Sequence, residues 1–153
     1  MVGGSVGSAW HAPLSRRARL AVATLAGVIG VGAVYGGVRL LVDAEALGVE
    51  QSWLAGTPFP DYRVPGVILL AIVGGGMLVT AVAALRRSRF ARPAALAMGT
   101  TLLVWGAAET ATIGYRGPGQ LVLLTVFVVA PGLALLAIGL QAAAPQSPTE
   151  PEQ

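Results

Sequence analysis

Residues 65–85 read PGVILLAIVGGGMLVTAVAAL, a run without a single charged side chain. About 20 predominantly apolar residues are enough for a helix to cross the hydrocarbon core of a bilayer. Hydrocarbon contains no water to satisfy backbone amides, so a run of this kind must be helical there. The segment therefore predicts a membrane-spanning helix over residues 65–85.

Three further apolar runs share this character, and they cover residues 20–42, 93–113 and 120–140. Hydrophobic residues make up 55% of the 153 residues and charged residues only 11%, against about 25% charged in a typical soluble domain. The sequence predicts an all-α membrane protein with a bundle of four transmembrane helices over residues 20–141. Segments 1–19 and 142–153 lack hydrophobic periodicity, and we expect them to be disordered cytoplasmic ends.

The arginines predict the orientation of the bundle. Seven of the ten basic residues, all of them Arg, fall in segments 16–19 and 86–92, which four crossings would bring to one side. Cytoplasmic loops carry the excess of Arg and Lys, so both termini and the 86–92 loop are expected in the cytoplasm. A cleaved signal peptide is the alternative for the first run, but its 20–42 stretch exceeds the usual apolar length of about 7–15 residues.

The first outer loop, residues 43–64, is long for a connection without secondary structure. Asp43 is placed to cap a short helix that would extend to Leu54. The outer-loop residues of interest are Trp53, Phe59, Asp61 and Tyr62. Aromatic rings favour the headgroup level of a bilayer, which predicts an interfacial anchor. A lid or docking surface remains the alternative.

Charged residues inside the spans are the best sequence pointer to function in a membrane protein. Arg39 and Glu109 lie at similar depth below the outer boundary, so an intramembrane ion pair between them is predicted. Glu109 also belongs to a polar stripe on one face of the third helix, formed by Thr101, Trp105, Glu109 and Thr112. The pair would act as a structural clasp. Alternatively, Glu109 would line a cavity and bind a cation or a proton, or it would simply reach water at the membrane interface.

Two further features concern packing and lipid contact. Gly32 and Gly36 have the G-x-x-x-G spacing that allows helix backbones to approach closely, and Pro131–Gly132 predicts a kink in the fourth span. Arginines of the cytoplasmic loop are expected to contact anionic lipid headgroups, and these are Arg86, Arg87, Arg89 and Arg92.

Several function classes lose support at this stage. The chain has no Cys, and its spans contain no His, no Ser and no paired carboxylates from which nucleophilic or acid–base catalysis could be assembled. No cofactor or metal is expected. The pI near 10.2 reflects arginines beside apolar runs, so nucleic acid is not an expected partner.

Two stretches carry a resemblance. Residues 56–62 (GTPFPDY) followed by Pro65-Gly66, and the segment ETATIGY over residues 109–115, resemble small four-span bacterial membrane proteins without an assigned activity. The resemblance implies a bacterial inner-membrane protein with four spans, and it implies no mechanism.

The leading hypothesis is a structural or accessory protein of the bacterial inner membrane, acting alone or in a larger membrane complex. The alternative is a minimal transporter or channel component that uses Glu109, as a homo-oligomer. A membrane-embedded enzyme is a remote third hypothesis.

Overall fold

Four helices make up most of the chain in a computed structural model that describes residues 14–115 and 117–141. No strand is found within these ranges, which confirms the all-α prediction. The helices are α1 (Arg16–Val42), α2 (Arg63–Leu85), α3 (Ala91–Ile113) and α4 (Pro118–Gln141). Each of the four predicted spans lies within one of these helices.

The first helix begins earlier than the hydropathy indicated. The Ser15 hydroxyl accepts a hydrogen bond from the Ala18 backbone N–H at 3.2 Å, which caps α1. Residues 16–19 are therefore helical, and the prediction that disorder reaches residue 19 is wrong for this portion. The remaining segments predicted to be disordered, 1–13 and 142–153, lie outside the described residues.

Three of the four helices, α1, α2 and α4, are long and apolar enough to cross a membrane. The remaining helix, α3, has 23 residues, but it carries Arg92, Glu109 and four threonines, which make it more polar. By length and composition the described chain is therefore compatible with a membrane protein.

Helices adjacent in sequence pack antiparallel, which creates two hairpins. In the first hairpin, α1 lies along α2, and Gly30 approaches Leu78 while Gly37 approaches Leu70. In the second hairpin, α3 lies along α4, with Gly99 near Gly132. Helices α2 and α3 join the hairpins, α1 touches α4 less extensively, and α1 and α3 are diagonal.

The bundle thus has two different ends. The loop end holds the connection 43–62 and the short connection between α3 and α4. The arginine end holds the connection 86–90 together with the start of α1 and the end of α4.

Glycines set the distance between the helices of each hairpin. A Cβ atom on Gly37 would lie 2.7 Å from both Cβ and N of Leu70, and one on Gly99 would lie 2.8 Å from the carbonyl oxygen of Gly132. Only glycine permits backbones to come this close. A Cβ on Gly32 would meet nothing within 4 Å, whereas one on Gly36 would lie 3.4 Å from Cδ2 of Leu69. Of the predicted Gly32–Gly36 pair only Gly36 therefore faces α2, and the closest approaches are at Gly30 and Gly37.

The second helix of each hairpin contains a wider, π-helical turn. It covers Leu69–Gly75 in α2 and Thr125–Val129 in α4. Both turns follow six or seven residues of α-helix from the loop end. In α4 the turn precedes Pro131, which lacks the N–H that an uninterrupted α-helix would require.

Candidate functional site

The connection at the loop end is ordered by its own hydrogen bonds. The Gln51 side chain donates to the Pro60 carbonyl oxygen at 2.7 Å, and the Tyr62 hydroxyl donates to the Glu50 carbonyl oxygen at 2.8 Å. Asp43 accepts from the Ala46 N–H at 3.2 Å, as predicted for a cap. The predicted helix up to Leu54 is instead two short 3₁₀ turns, because the backbone turns left-handed at Gly48 with φ of 73°.

The outer-loop residues occupy different environments. Trp53 and Phe59 are half-buried, whereas Tyr62 is buried. The hydrogen bond from the Tyr62 hydroxyl to the Glu50 carbonyl oxygen links the two halves of the connection. Asp61 accepts from the Arg63 N–H at 2.9 Å and lies 3.8 Å from the Arg63 side chain. The turn Gln51–Leu54 packs against α3. The connection therefore rests on the second hairpin, and its role as anchor or lid stays a prediction.

Arg39 does not form the predicted ion pair with Glu109. Its guanidinium lies 3.3 Å from the carboxylate of Asp43, which follows it by four residues at the end of α1. The prediction is wrong because it relied on equal depth alone. Since α1 and α3 are diagonal in the bundle, a local partner reaches Arg39 and Glu109 does not.

Glu109 is the exceptional residue of the polar stripe. It is half-buried, and its hydrogen-bonding neighbour is the side chain of Trp105, one turn earlier. Among residues 14–115 and 117–141 the ion pairs are Arg39–Asp43 and Arg63–Asp61, so Glu109 has no cationic partner within these ranges. Apart from the hydrogen bond with Trp105, its charge is therefore not offset by an opposite charge within the described residues.

The threonines of the stripe are satisfied within their own helix. The Thr101 hydroxyl donates to the Ala97 carbonyl oxygen at 2.9 Å, and the Thr112 hydroxyl donates to the Ala108 carbonyl oxygen at 2.6 Å. Such bonds to the preceding turn remove the need for an external partner. With the threonines accounted for, Trp105 and Glu109 remain as the candidate functional residues of the predicted stripe.

An open groove of about 510 Å³ runs along α3 and α4 toward the loop end. Its lining combines small residues of α3 with bulky residues of both helices, namely Leu103, Gly106, Ala107, Thr110, Ala111, Leu124 and Val129. The first segment of α4, Pro118–Leu124, and its π turn contain no buried residue. The second hairpin is therefore open on this side, and Glu109 is not among the residues that line the groove.

At the arginine end, Arg92 departs from the prediction of a lipid headgroup contact. Its side chain is 1% exposed, and Nε donates to the Gly139 carbonyl oxygen at 2.8 Å. Protein therefore surrounds this guanidinium and withholds it from headgroups. The signal was present in the sequence: Arg92 precedes Ala95 by three residues and Gly99 by seven, which places it on the buried face of α3.

The other arginines of this loop are exposed. Arg86, Arg87 and Arg89 are all accessible, and Arg89 stacks over the Phe90 ring at 4.9 Å from its centroid. Headgroup contact stays a prediction for these three. Arg87 also lines a groove together with Arg16 and Arg19 from α1. Because these residues are far apart in the sequence, the sequence does not predict that they meet.

Within the described ranges no three side chains of His, Cys, Asp or Glu come together in a way that could hold a metal ion. Comparison with protein-family models, with curated proteins and with solved structures gave no match. The resemblance to small four-span bacterial membrane proteins therefore stays a prediction.

Proposed function

We propose that this chain is a four-span protein of the bacterial cytoplasmic membrane with both termini inside, and that it serves as an accessory subunit that binds a partner transmembrane helix. Charge distribution supports the orientation. Every acidic side chain of the described residues belongs to the loop end, whereas Arg16, Arg17, Arg19, Arg86, Arg87 and Arg89 occupy the arginine end. The excess of arginine marks the cytoplasmic side.

The packing of α3 supports its assignment as a fourth crossing despite its polarity. It lies antiparallel to both α2 and α4. Its threonines bond to their own helix, and Arg92 bonds to Gly139 inside the bundle. Most polar atoms of α3 are thus satisfied internally, which is what hydrocarbon demands of a spanning segment.

Single cysteines test the topology, because the chain contains no cysteine of its own. We expect Ser52→Cys and Gly119→Cys to react with an impermeant maleimide on intact cells. Ser8→Cys and Ser147→Cys are expected to react only after permeabilisation. Reaction of Ser147→Cys on intact cells would mean that α3 does not cross the membrane. Reaction of Ser8→Cys on intact cells would mean that the orientation is the opposite of the one proposed.

The groove of the second hairpin carries the proposed accessory role. Ala107 and Ala111 give a pair of small residues four positions apart along its lining, whereas the neighbouring Gly106 is already packed against Val128 of α4. Such pairs allow another helix backbone to approach closely, and close packing is the main attraction between helices in lipid. A partner helix would fill the space that the groove leaves open.

Crosslinking from the groove tests this role. Ala111→Cys lies in the groove, and Val31→Cys is the control, because Val31 is 63% exposed on α1. In native membranes a thiol-directed crosslinker should give one adduct of defined mass from Ala111→Cys and none from Val31→Cys. Adding Ala107→Phe should fill the groove and abolish that adduct. An adduct of twice the chain's mass would assign the groove to a second copy, and equal adducts at both positions would contradict a specific site.

A second candidate function uses Glu109 as a cation or proton site in transport. The observation in its favour is a half-buried carboxylate with Trp105 as neighbour and no cationic partner within the described ranges. Intramembrane carboxylates of this kind commonly mark ion pathways.

Flux through proteoliposomes separates the two candidates. If Glu109 carries an ion, purified protein should conduct protons or small cations, and Glu109→Gln should abolish this flux while the melting temperature is retained. If the chain is an accessory subunit, neither form should conduct. Flux that Glu109→Gln leaves unchanged would contradict the transport candidate at this residue.

A further inference from the structure

A second groove lies at the arginine end, between the start of α1 and the end of α2. It has a volume of about 230 Å³, and three arginines line it together with apolar groups: Arg16, Arg19, Leu20, Ala84, Leu85 and Arg87. Sites for drug-sized ligands measure roughly 300–1,000 Å³, so this groove suits a small anionic group. Two helices that are far apart in sequence converge on it.

Positive charge accumulates here without local compensation. The first turn of α1 contains no acidic residue and places Arg16, Arg17 and Arg19 at the positive end of the helix dipole, where negative groups are normally favoured. The ion pairs of the described residues all involve Arg39 or Arg63 at the loop end. An anion in the groove would offset this repulsion.

The backbone of Arg87 indicates that its side chain matters. Arg87 has φ of 57° and is the only non-glycine residue with positive φ in the described chain. Its N–H donates to the Ala84 carbonyl oxygen at 3.3 Å, and the Ser88 N–H donates to the Ala83 carbonyl oxygen at 3.0 Å. These bonds form a Schellman motif that ends α2, in which the left-handed position is usually glycine. An arginine here places a guanidinium at the groove at some conformational cost.

We infer that Arg16, Arg19 and Arg87 form a binding site for a phosphate group, namely that of an anionic phospholipid in the cytoplasmic leaflet. Guanidinium groups bind phosphate with paired, charge-assisted hydrogen bonds. Leu20 and Leu85 flank the arginines and are 49% and 63% exposed, so they are available to acyl chains of the same lipid. This assignment rests on the orientation proposed above, which the maleimide labelling tests independently.

Thermal unfolding of the purified full chain in a neutral detergent tests the site. Titration with short-chain phosphatidylglycerol should raise the melting temperature in a saturable way, and short-chain phosphatidylcholine should not. Inorganic phosphate is the third arm. A shift with phosphatidylglycerol alone supports the lipid source, whereas an equal shift with inorganic phosphate would overturn the lipid assignment and leave a free phosphate site.

Two variants at the groove and one outside it sharpen the test. Arg87→Gly removes the side chain but keeps, and indeed favours, the left-handed backbone. We therefore expect an unchanged or raised melting temperature without lipid and an apparent affinity for phosphatidylglycerol about fivefold weaker. Arg16→Gln should weaken the affinity to a similar extent. Arg89→Gln removes the same charge outside the groove and should retain the affinity of the unmodified protein.

Full retention of affinity in both Arg87→Gly and Arg16→Gln would overturn the site. An equal loss in Arg89→Gln would also overturn it, because that result would indicate a diffuse attraction by the whole arginine end. Because Arg87→Gly preserves the helix cap, a loss of lipid response in this variant cannot be explained by a misfolded α2.

Discussion

The two hairpins differ in packing: the first is closed along its length, and the second has an open groove toward the loop end. In the first hairpin, small residues meet at successive levels, from Gly37 and Gly66 near the loop end to Gly30 opposite Leu78 deeper in the bundle. In the second hairpin the two backbones approach closely where Gly99 faces Gly132. Nearer the loop end α4 reaches α3 through a side chain, since a Cβ on Gly106 would lie 2.7 Å from Cγ1 of Val128, and an open groove runs beside this contact.

The difference lies in where the glycines are. Residues 120–130 of α4 read QLVLLTVFVVA, without a glycine, so this segment contacts α3 through bulky side chains, such as Val128 against Gly106, and not through its backbone. Helix association in lipid depends on close backbone approach more than on apolar surface, since the surrounding acyl chains are equally apolar. Hydropathy distinguishes the hairpins only through the more polar α3, whereas the distribution of small residues determines how closely the helices of each hairpin approach.

The largest effect is expected at the tightest point of the closed hairpin. Gly37→Val should lower the free energy of unfolding by about 3 kcal/mol, because the new Cβ meets the backbone of Leu70 and the Gly66 carbonyl oxygen and cannot be accommodated by a rotamer change. The melting temperature in detergent measures it. Gly32→Val is the control on the same helix, and equal losses in the two variants would show that helix propensity and not contact is responsible.

A smaller loss is expected at the deep end of the open hairpin. Arg92→Ala removes the bond to the Gly139 carbonyl oxygen and leaves a void, for an expected cost of about 2 kcal/mol. Arg86→Ala, which removes an exposed arginine, should change stability by less than about 0.5 kcal/mol. A loss at Arg92 no greater than that at Arg86 would show that this link does not hold α3 to α4.

The relation between the hairpins gives a third prediction. Arg39→Gln should cost at most about 1 kcal/mol, because its partner Asp43 is half-exposed and exposed ion pairs are weak. Combined with Glu109→Gln, the two effects should add within about 0.5 kcal/mol, since the residues share no partner. Strong non-additivity in a double-variant cycle would instead support the predicted ion pair between Arg39 on α1 and Glu109 on α3.

The smallest effect on stability is expected in the half of α4 nearer the loop end, which contains no buried residue. Leu123 is 59% exposed, and Leu123→Ala should change the melting temperature of the purified protein by less than about 1 °C. Leu135→Ala is the matched change in the packed half of the same helix, where the side chain is fully buried, and it should be clearly destabilising. Equal effects would mean that α4 is packed along its entire length.

The sequence predicted the four helices because each contains a long apolar run, and it placed every helix start late, by four residues in α1, where the Ser15 cap extends the helix, and by two in the others. Side-chain partners were harder to predict. The Arg39–Glu109 pair required knowing which helices are neighbours, and the apolar runs do not reveal that α1 and α3 are diagonal. The groove at Arg16, Arg19 and Arg87 likewise depends on the meeting of two helix ends.

The wider turns in α2 and α4 have a consequence for how these helices are aligned with their surroundings. Each π turn accommodates more backbone per revolution than an α turn, so the angular position of every later residue is offset from that of the earlier ones. A helical wheel drawn with a constant 100° step through α2 would therefore assign the residues after Gly75 to the wrong face of the helix. Shortening the chain by one residue within Leu69–Gly75 would be expected to convert the wide turn into ordinary α-helix while both flanking segments keep their present neighbours.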